Sequence, residues 1–179
     1  MTRIIAGTWG GRRLATPKGA DTRPTSDRVR EAMFSSLESE LGGFAGLCVV
    51  DLYAGSGALG LEALSRGAGR VDLVESGRPA QRAIAANIAE LGTMSARLHR
   101  TTAERFLAGC RDRFDLVFVD PPYADDPTAV LAAVSALLAP SGLVVVERSS
   151  RTEFAWPEGL TGIRDKAYGE TRLWYGRQS

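Results

Sequence analysis

Four consecutive residues, Asp120-Pro121-Pro122-Tyr123, stand directly after an apolar run from Phe114 to Val119. Their chemistry suits a flat, weakly nucleophilic NH2 group such as the exocyclic amine of a nucleobase, whose lone pair is delocalised into the ring. The Asp120 carboxylate and the Pro121 carbonyl can accept both amine hydrogens and turn the lone pair toward an electrophile. Two prolines fix the backbone that presents the carbonyl, so little reorganisation is needed at reaction. Tyr123 adds a face for base stacking, worth roughly 1–3 kcal/mol. The plain alternative is a proline stop after a strand, with Tyr123 as a surface aromatic.

A second cluster is Asp51-Leu52-Tyr53-Ala54-Gly55-Ser56-Gly57-Ala58-Leu59-Gly60. Gly55 and Gly57 allow a tight turn and close approach of backbone to a ligand, with Tyr53 and Ser56 shaping that turn. Gly60 lets the next helix pack against its strand. Glu75 follows Gly55 by 20 residues and offers a carboxylate to ribose hydroxyls. Glycines, strand context and acid together indicate a nucleoside cofactor. Asp51 discriminates between cofactors, because a carboxylate there repels a pyrophosphate and attracts an ammonium group. S-adenosylmethionine carries an ammonium, a sulfonium and no phosphate, so charge favours it over a nicotinamide dinucleotide.

These residues fall at strand ends. Leu47 to Leu52, Arg70 to Val74, Ala96 to Thr101, Phe114 to Val119 and Leu143 to Glu147 read as strands. Between them lie helical stretches: a helix through Arg66, one from Pro79 to Leu91, a short one around Glu104 to Cys110, and Thr128 to Leu138. Such alternation predicts right-handed crossovers and a largely parallel sheet covered on both faces. Ligands then bind beyond the carboxyl ends of the strands. Ile163 to Ala167 and Thr171 to Tyr175 read instead as a hairpin that reverses one strand. Before the alternation, Arg3 to Trp9 and Arg12 to Thr16 flank Gly10-Gly11, a hairpin signal. Thr25 to Leu41 then reads as an amphipathic helix with Val29, Met33, Leu37 and Leu41 on one side.

Net charge is +1, but residues 1–31 hold seven basic groups against three acids. Arg3, Arg12, Arg13, Arg23, Arg28 and Arg30 make this end a candidate surface for a polyanion. The alternative is local pairing of Arg23, Arg28 and Arg30 with Asp27 and Glu31, and Trp9 serves hairpin packing as well as base contact. Trp156, Trp174 and Tyr175 read as packing aromatics and Glu147 as a surface acid. Cys48 and Cys110 lack the spacing of a disulfide framework or a zinc site, and one histidine, His99, is too few for an imidazole metal site. No apolar run approaches the ~18 residues of a membrane span, and Met1 to Ile5 open no secretory segment. A cytoplasmic protein without metal is expected.

Residues 51–60 together with 120–123 resemble class I S-adenosylmethionine-dependent amino-methyltransferases. More narrowly, Arg3-Ile4-Ile5, the stretch Arg23-Pro24-Thr25-Ser26-Asp27-Arg28-Val29-Arg30-Glu31, and Gly60-Leu61-Glu62-Ala63-Leu64-Ser65-Arg66-Gly67 resemble the RsmD family, from Arg3 to about Arg177. That family methylates the exocyclic amino group of one guanine in bacterial 16S ribosomal RNA. The resemblance implies an α/β, Rossmann-like fold with a mostly parallel seven-stranded sheet, one reversed strand, and helices on both faces. It implies a β-hairpin RNA-binding extension over residues 1–22 and a methyltransferase domain over residues 23–179. Asp51 would lie near the methionine moiety, Gly55 to Gly57 would line it, Glu75 would hold the ribose, and Thr102-Ala103 would flank the adenine. Asp120 to Tyr123 would hold the flipped base. The implied partner is 16S rRNA within the small ribosomal subunit, met by a monomer. Rival readings are an amino-methyltransferase of DNA adenine or of protein glutamine, a nicotinamide-dependent oxidoreductase, and a non-catalytic RNA-binding module.

Overall fold

The computed structural model describes residues 2–19 and 25–179. In chain order the elements are β1 (Thr2–Arg3), β2 (Arg13–Leu14), α1 (Asp27–Leu41), β3 (Cys48–Asp51), α2 (Ala58–Ser65), β4 (Arg70–Val74) and α3 (Arg78–Leu91). They continue with β5 (Ala96–His99), α4 (Ala103–Gly109), β6 (Phe114–Val119), α5 (Thr128–Ser135), β7 (Leu138–Ser149), β8 (Leu160–Tyr168) and β9 (Thr171–Gln178). β3 to β9 form one sheet in the order β5-β4-β3-β6-β7-β9-β8. β9 pairs antiparallel with both β7 and β8, while β3 to β7 are parallel. The expected fold, including its reversed strand, is the one observed.

The parallel strands are apolar on both sides because both sides are covered. Val49, Leu116, Phe118 and Val145 join the core that also holds Met33, Phe34 and Leu37 of α1, Leu61 of α2 and Ile84 of α3. Val50, Val117, Val119, Val144 and Val146 join a second core with Leu107 of α4 and Leu131 of α5. Gly60 shows how closely α2 lies on the sheet. A Cβ there would stand 2.8 Å from Val71 Cγ1, and nearer still to Leu73, so the absence of a side chain lets the helix seat. Phe154, Trp156 and Trp174 pack against one another on the second face, with ring centroids 5.0 Å and 5.1 Å from Phe154.

Three boundaries differ from expectation for identifiable reasons. The N-terminal hairpin pairs only Thr2 with Leu14 and Arg3 with Arg13. Ile4 still bonds across to the other arm, donating to the Arg12 carbonyl and accepting from the Gly11 N–H, but the donors after it are taken by α2: the Ile5 and Ala6 N–H groups donate to the Glu62 carboxylate at 2.7 and 3.0 Å. Thr8 N–H donates to the Ser65 carbonyl, Trp9 N–H to Ser65 Oγ, and that hydroxyl to the Ala6 carbonyl. The segment is a wide loop docked on a helix and not a two-residue turn. β7 begins at Leu138 and α5 ends at Ser135, because Leu138 already pairs with Phe114 before an irregularity in register. α1 starts at Asp27, with Ser26 Oγ accepting from the Val29 N–H.

Candidate active site at the carboxyl ends of β3 and β6

The order of strands reverses at β3, which is flanked by β4 on one side and β6 on the other. A crevice opens beyond the carboxyl ends at such a switch point. Asp51 is the last residue of β3 and pairs in register with Phe118, so Asp120 lies just beyond it on the neighbouring strand. Val119 pairs with Val146, which puts Asp120 beside Glu147. Alternation along the strands sends all three side chains to the face of α1 and α2.

Asp51 is 1% exposed. Its Oδ2 accepts the Gly60 N–H at 3.2 Å, while buried Oδ1 has no hydrogen-bond partner among the described residues. Burial, reinforced by the negative charge of Glu75, pushes its carboxyl up to about 7 against the pull of the Gly60 and Tyr53 N–H groups. The turn after it is held by Glu75, whose two oxygens accept the Gly55 N–H at 2.9 Å and the Gly77 N–H at 2.8 Å. Gly57 has φ +83° and caps α2, a conformation a side chain would strain. The carbonyl of Ser56 accepts from Asn87, a residue that also closes a double hydrogen bond with the backbone of Ala15 beyond the hairpin, at 2.7 and 3.0 Å. Tyr53 is half-buried, and desolvation with Glu104 and Asp125 nearby pushes its phenol up to about 12, so it stays neutral. Thr102 spends its hydroxyl as the cap of α4, accepting from the Arg105 N–H at 3.3 Å, and Ala103 is buried.

These groups fit S-adenosylmethionine. The unpartnered Asp51 oxygen suits an ammonium donor, and each Glu75 oxygen keeps acceptor capacity for a ribose hydroxyl.

In the tetrapeptide, Pro121 is buried and Pro122 and Tyr123 are exposed, Tyr123 by 62%. Burial raises the Asp120 carboxyl well above the usual carboxylate range, helped by the negative charges of Glu147 and Asp51 and opposed by Arg148. Arg148, 4% exposed, donates to the Pro122 carbonyl at 3.4 Å and the Tyr123 carbonyl at 3.2 Å, tying the loop to β7. Sequence reasoning missed Arg148 and misread Glu147. Glu147 is no surface acid but 7% exposed, accepting the Thr25 hydroxyl at 2.9 Å.

The basic residues divide. Arg3 and Arg13 stand opposite each other on the hairpin, both exposed, with Arg3 donating to Asp27 at 2.8 Å. Exposed Arg12 reaches the Glu90 carbonyl at 3.5 Å, and Arg28 is exposed. Arg23 lies outside the described residues. Arg30 is a correction: it is 2% exposed, donating to Asp27 at 2.7 Å and standing 3.9 Å from Glu62, so it is out of reach of RNA. The spacing Arg30, Phe34, Leu37 on the apolar face of α1 carried that signal. His99 pairs with Asp72 at 2.7 Å, away from these strand ends.

The family model described as Conserved hypothetical protein 95 matches residues 2–177. Ribosomal RNA small subunit methyltransferase D of Escherichia coli is 40% identical over 148 residues, covering 81% of this chain and 73% of that one. Its namesake from Haemophilus influenzae is 34% identical over 175 residues, covering 93% and 89%. The solved structure of the Escherichia coli protein yhhF superposes with a TM-score of 0.85 at 33% identity, over 99% of this chain and 97% of that one. With a whole-chain family match, relatives of this closeness and a methyltransferase fold, the chain belongs to the RsmD family of ribosomal RNA methyltransferases.

Proposed function

We propose that this protein transfers a methyl group from S-adenosylmethionine to the exocyclic amino group of a guanine in 16S rRNA of the small ribosomal subunit. The observation that carries the reading is the pairing of two strand ends. Asp51 holds a buried carboxylate oxygen without a partner among the described residues, and the adjacent β6 runs into Asp120-Pro121-Pro122-Tyr123. The cofactor supplies an electrophilic methyl group on a sulfonium. Asp51 takes its ammonium, Gly55, Ser56 and Gly57 line the methionine moiety, Glu75 accepts from the ribose hydroxyls, and Thr102 and Ala103 flank the adenine.

On the substrate side, Asp120 and the Pro121 carbonyl accept the two amine hydrogens, so that the nitrogen lone pair faces the methyl group. Tyr123 stacks on the base, and Pro122 is held with it by Arg148. A paired guanine must leave its stack to reach this clamp. Arg3, Arg12, Arg13, Arg23 and Arg28 grip the phosphates. Two arginines placed opposite each other on a hairpin repel, an arrangement that a polyanionic partner turns to advantage. The relatives named for small-subunit ribosomal RNA support this substrate. We take the protein to act as a cytoplasmic monomer.

The test is incubation with labelled S-adenosylmethionine and undermethylated small subunits, followed by mass mapping of the RNA. Incorporation into one guanine is expected; labelling of DNA or protein alone would overturn the reading. Asp120→Ala is expected to keep cofactor binding and lose turnover by roughly 100-fold or more, and retained turnover would count against the clamp.

A further inference from the structure

We infer that Glu147 is a positioning residue for Asp120, held by the Thr25 hydroxyl so that its negative charge makes Asp120 a stronger base toward the amine. The inference rests on the amino-methyltransferase reading above. Asp120 and Glu147 occupy neighbouring positions at the ends of paired strands β6 and β7. Both line one small crevice, closed by Met33 of α1, Leu59 of α2 and Leu173 of β9. Glu147 is 7% exposed. Arg148 follows it but points to the other face, toward the Pro122 and Tyr123 carbonyls. Among the described residues, the polar contact of Glu147 is Thr25, 122 residues away in the chain, just before α1. A buried acid beside another acid destabilises a fold, so its retention here calls for a use.

That use follows from proton chemistry. The nitrogen lone pair would form the new C–N bond as the methyl–sulfur bond breaks with its electron pair going to sulfur; one N–H bond then breaks, its pair stays on nitrogen, and the proton passes to an Asp120 oxygen. A base works best when its proton affinity is matched to the working pH. Among the described residues, the charges that act on Asp120 are those of Glu147 and Asp51, which strengthen it as a base, and of Arg148 from the opposite face, which weakens it; Met33 and Leu59 are apolar. Burial holds Glu147 toward its neutral form, and the Thr25 hydroxyl draws it back toward the ionised one. Thr25 thereby links the segment entering α1 to the reacting carboxylate.

The test is the pH dependence of single-turnover methylation of undermethylated small subunits at saturating S-adenosylmethionine. In the wild type the rate rises with pH as Asp120 ionises. Glu147→Gln keeps an acceptor for Thr25 but removes the charge. Its acid limb is expected to move about one unit or more to lower pH, with a plateau roughly tenfold lower. Thr25→Val is expected to move the limb the same way by less, and Glu147→Asp to stay near the wild type. A limb unmoved in Glu147→Gln, with cofactor binding intact, overturns the inference while leaving the reaction standing. Should Glu147→Gln lose cofactor binding through misfolding, Thr25→Val decides, and an unmoved limb there overturns it. A wild type that leaves subunits unlabelled sinks the underlying reaction itself.

Discussion

Asp51 meets two opposed demands, since the burial that suits it to a cationic ligand also penalises its charge in the free protein. Its carboxyl is pushed up to about 7 from an ordinary 3.8, so between those values the native state holds a proton that the unfolded chain has released. Stability of the ligand-free protein therefore falls as pH rises from about 4 to about 7 and loses nothing further from this group above that. Asp51→Asn removes the penalty. It is expected to raise the thermal midpoint at pH 8, by a free energy of up to roughly 4 kcal/mol, with the gain vanishing toward pH 4. Binding of S-adenosylhomocysteine should weaken at least roughly tenfold with the ion pair gone. Thermal unfolding from pH 4 to 8 and calorimetry check both, and a gain independent of pH would refute the assignment. Asp51, Glu75 and Asp120 were legible in the sequence because each closes an apolar strand and is followed within a few residues by the glycines or prolines of a tight turn. Glu147 and Arg148 were not, since their meaning depends on which strand lies next to β6.

Element boundaries show where local pattern fails. The helices α1 and α3 and strands β4 and β6 follow from apolar spacing, caps and glycine stops, all contained in a short window. The hairpin does not, because Glu62, some 57 residues further along, captures its backbone donors. Glu62 is 0% exposed and also ion-pairs with Arg66 at 2.9 Å. Glu62→Gln leaves an amide that cannot accept both N–H groups as a carboxylate does, beside buried Arg30 and half-buried Arg66. A loss of roughly 3 kcal/mol or more is expected in urea unfolding, with faster hydrogen exchange at Ile5 and Ala6. Unchanged exchange there would show that the loop is held by something else.

Across the whole molecule, charge that is nearly balanced in sum is unevenly placed, with the excess of arginine at the amino-terminal end. Arg3→Glu with Arg13→Glu is expected to weaken small-subunit binding and to flatten its dependence on salt, because fewer counterions are released. Cofactor affinity should not change, and filter binding from 50 to 200 mM salt measures the difference; equal slopes would place the RNA contact elsewhere. The sheet order was legible only as a class, from the alternation of strands and helices. The contacts that tie the arm to the rest were hidden, because they join residues distant in the chain. Among them, the side-chain amide of Asn87 reaches both Ala15 and Ser56. A chain shortened to begin after residue 22 would leave Glu62, Ser65 and Asn87 with polar atoms stranded indoors. What pulls on the arm therefore pulls on the glycine turn after β3, and trimming one loosens the other.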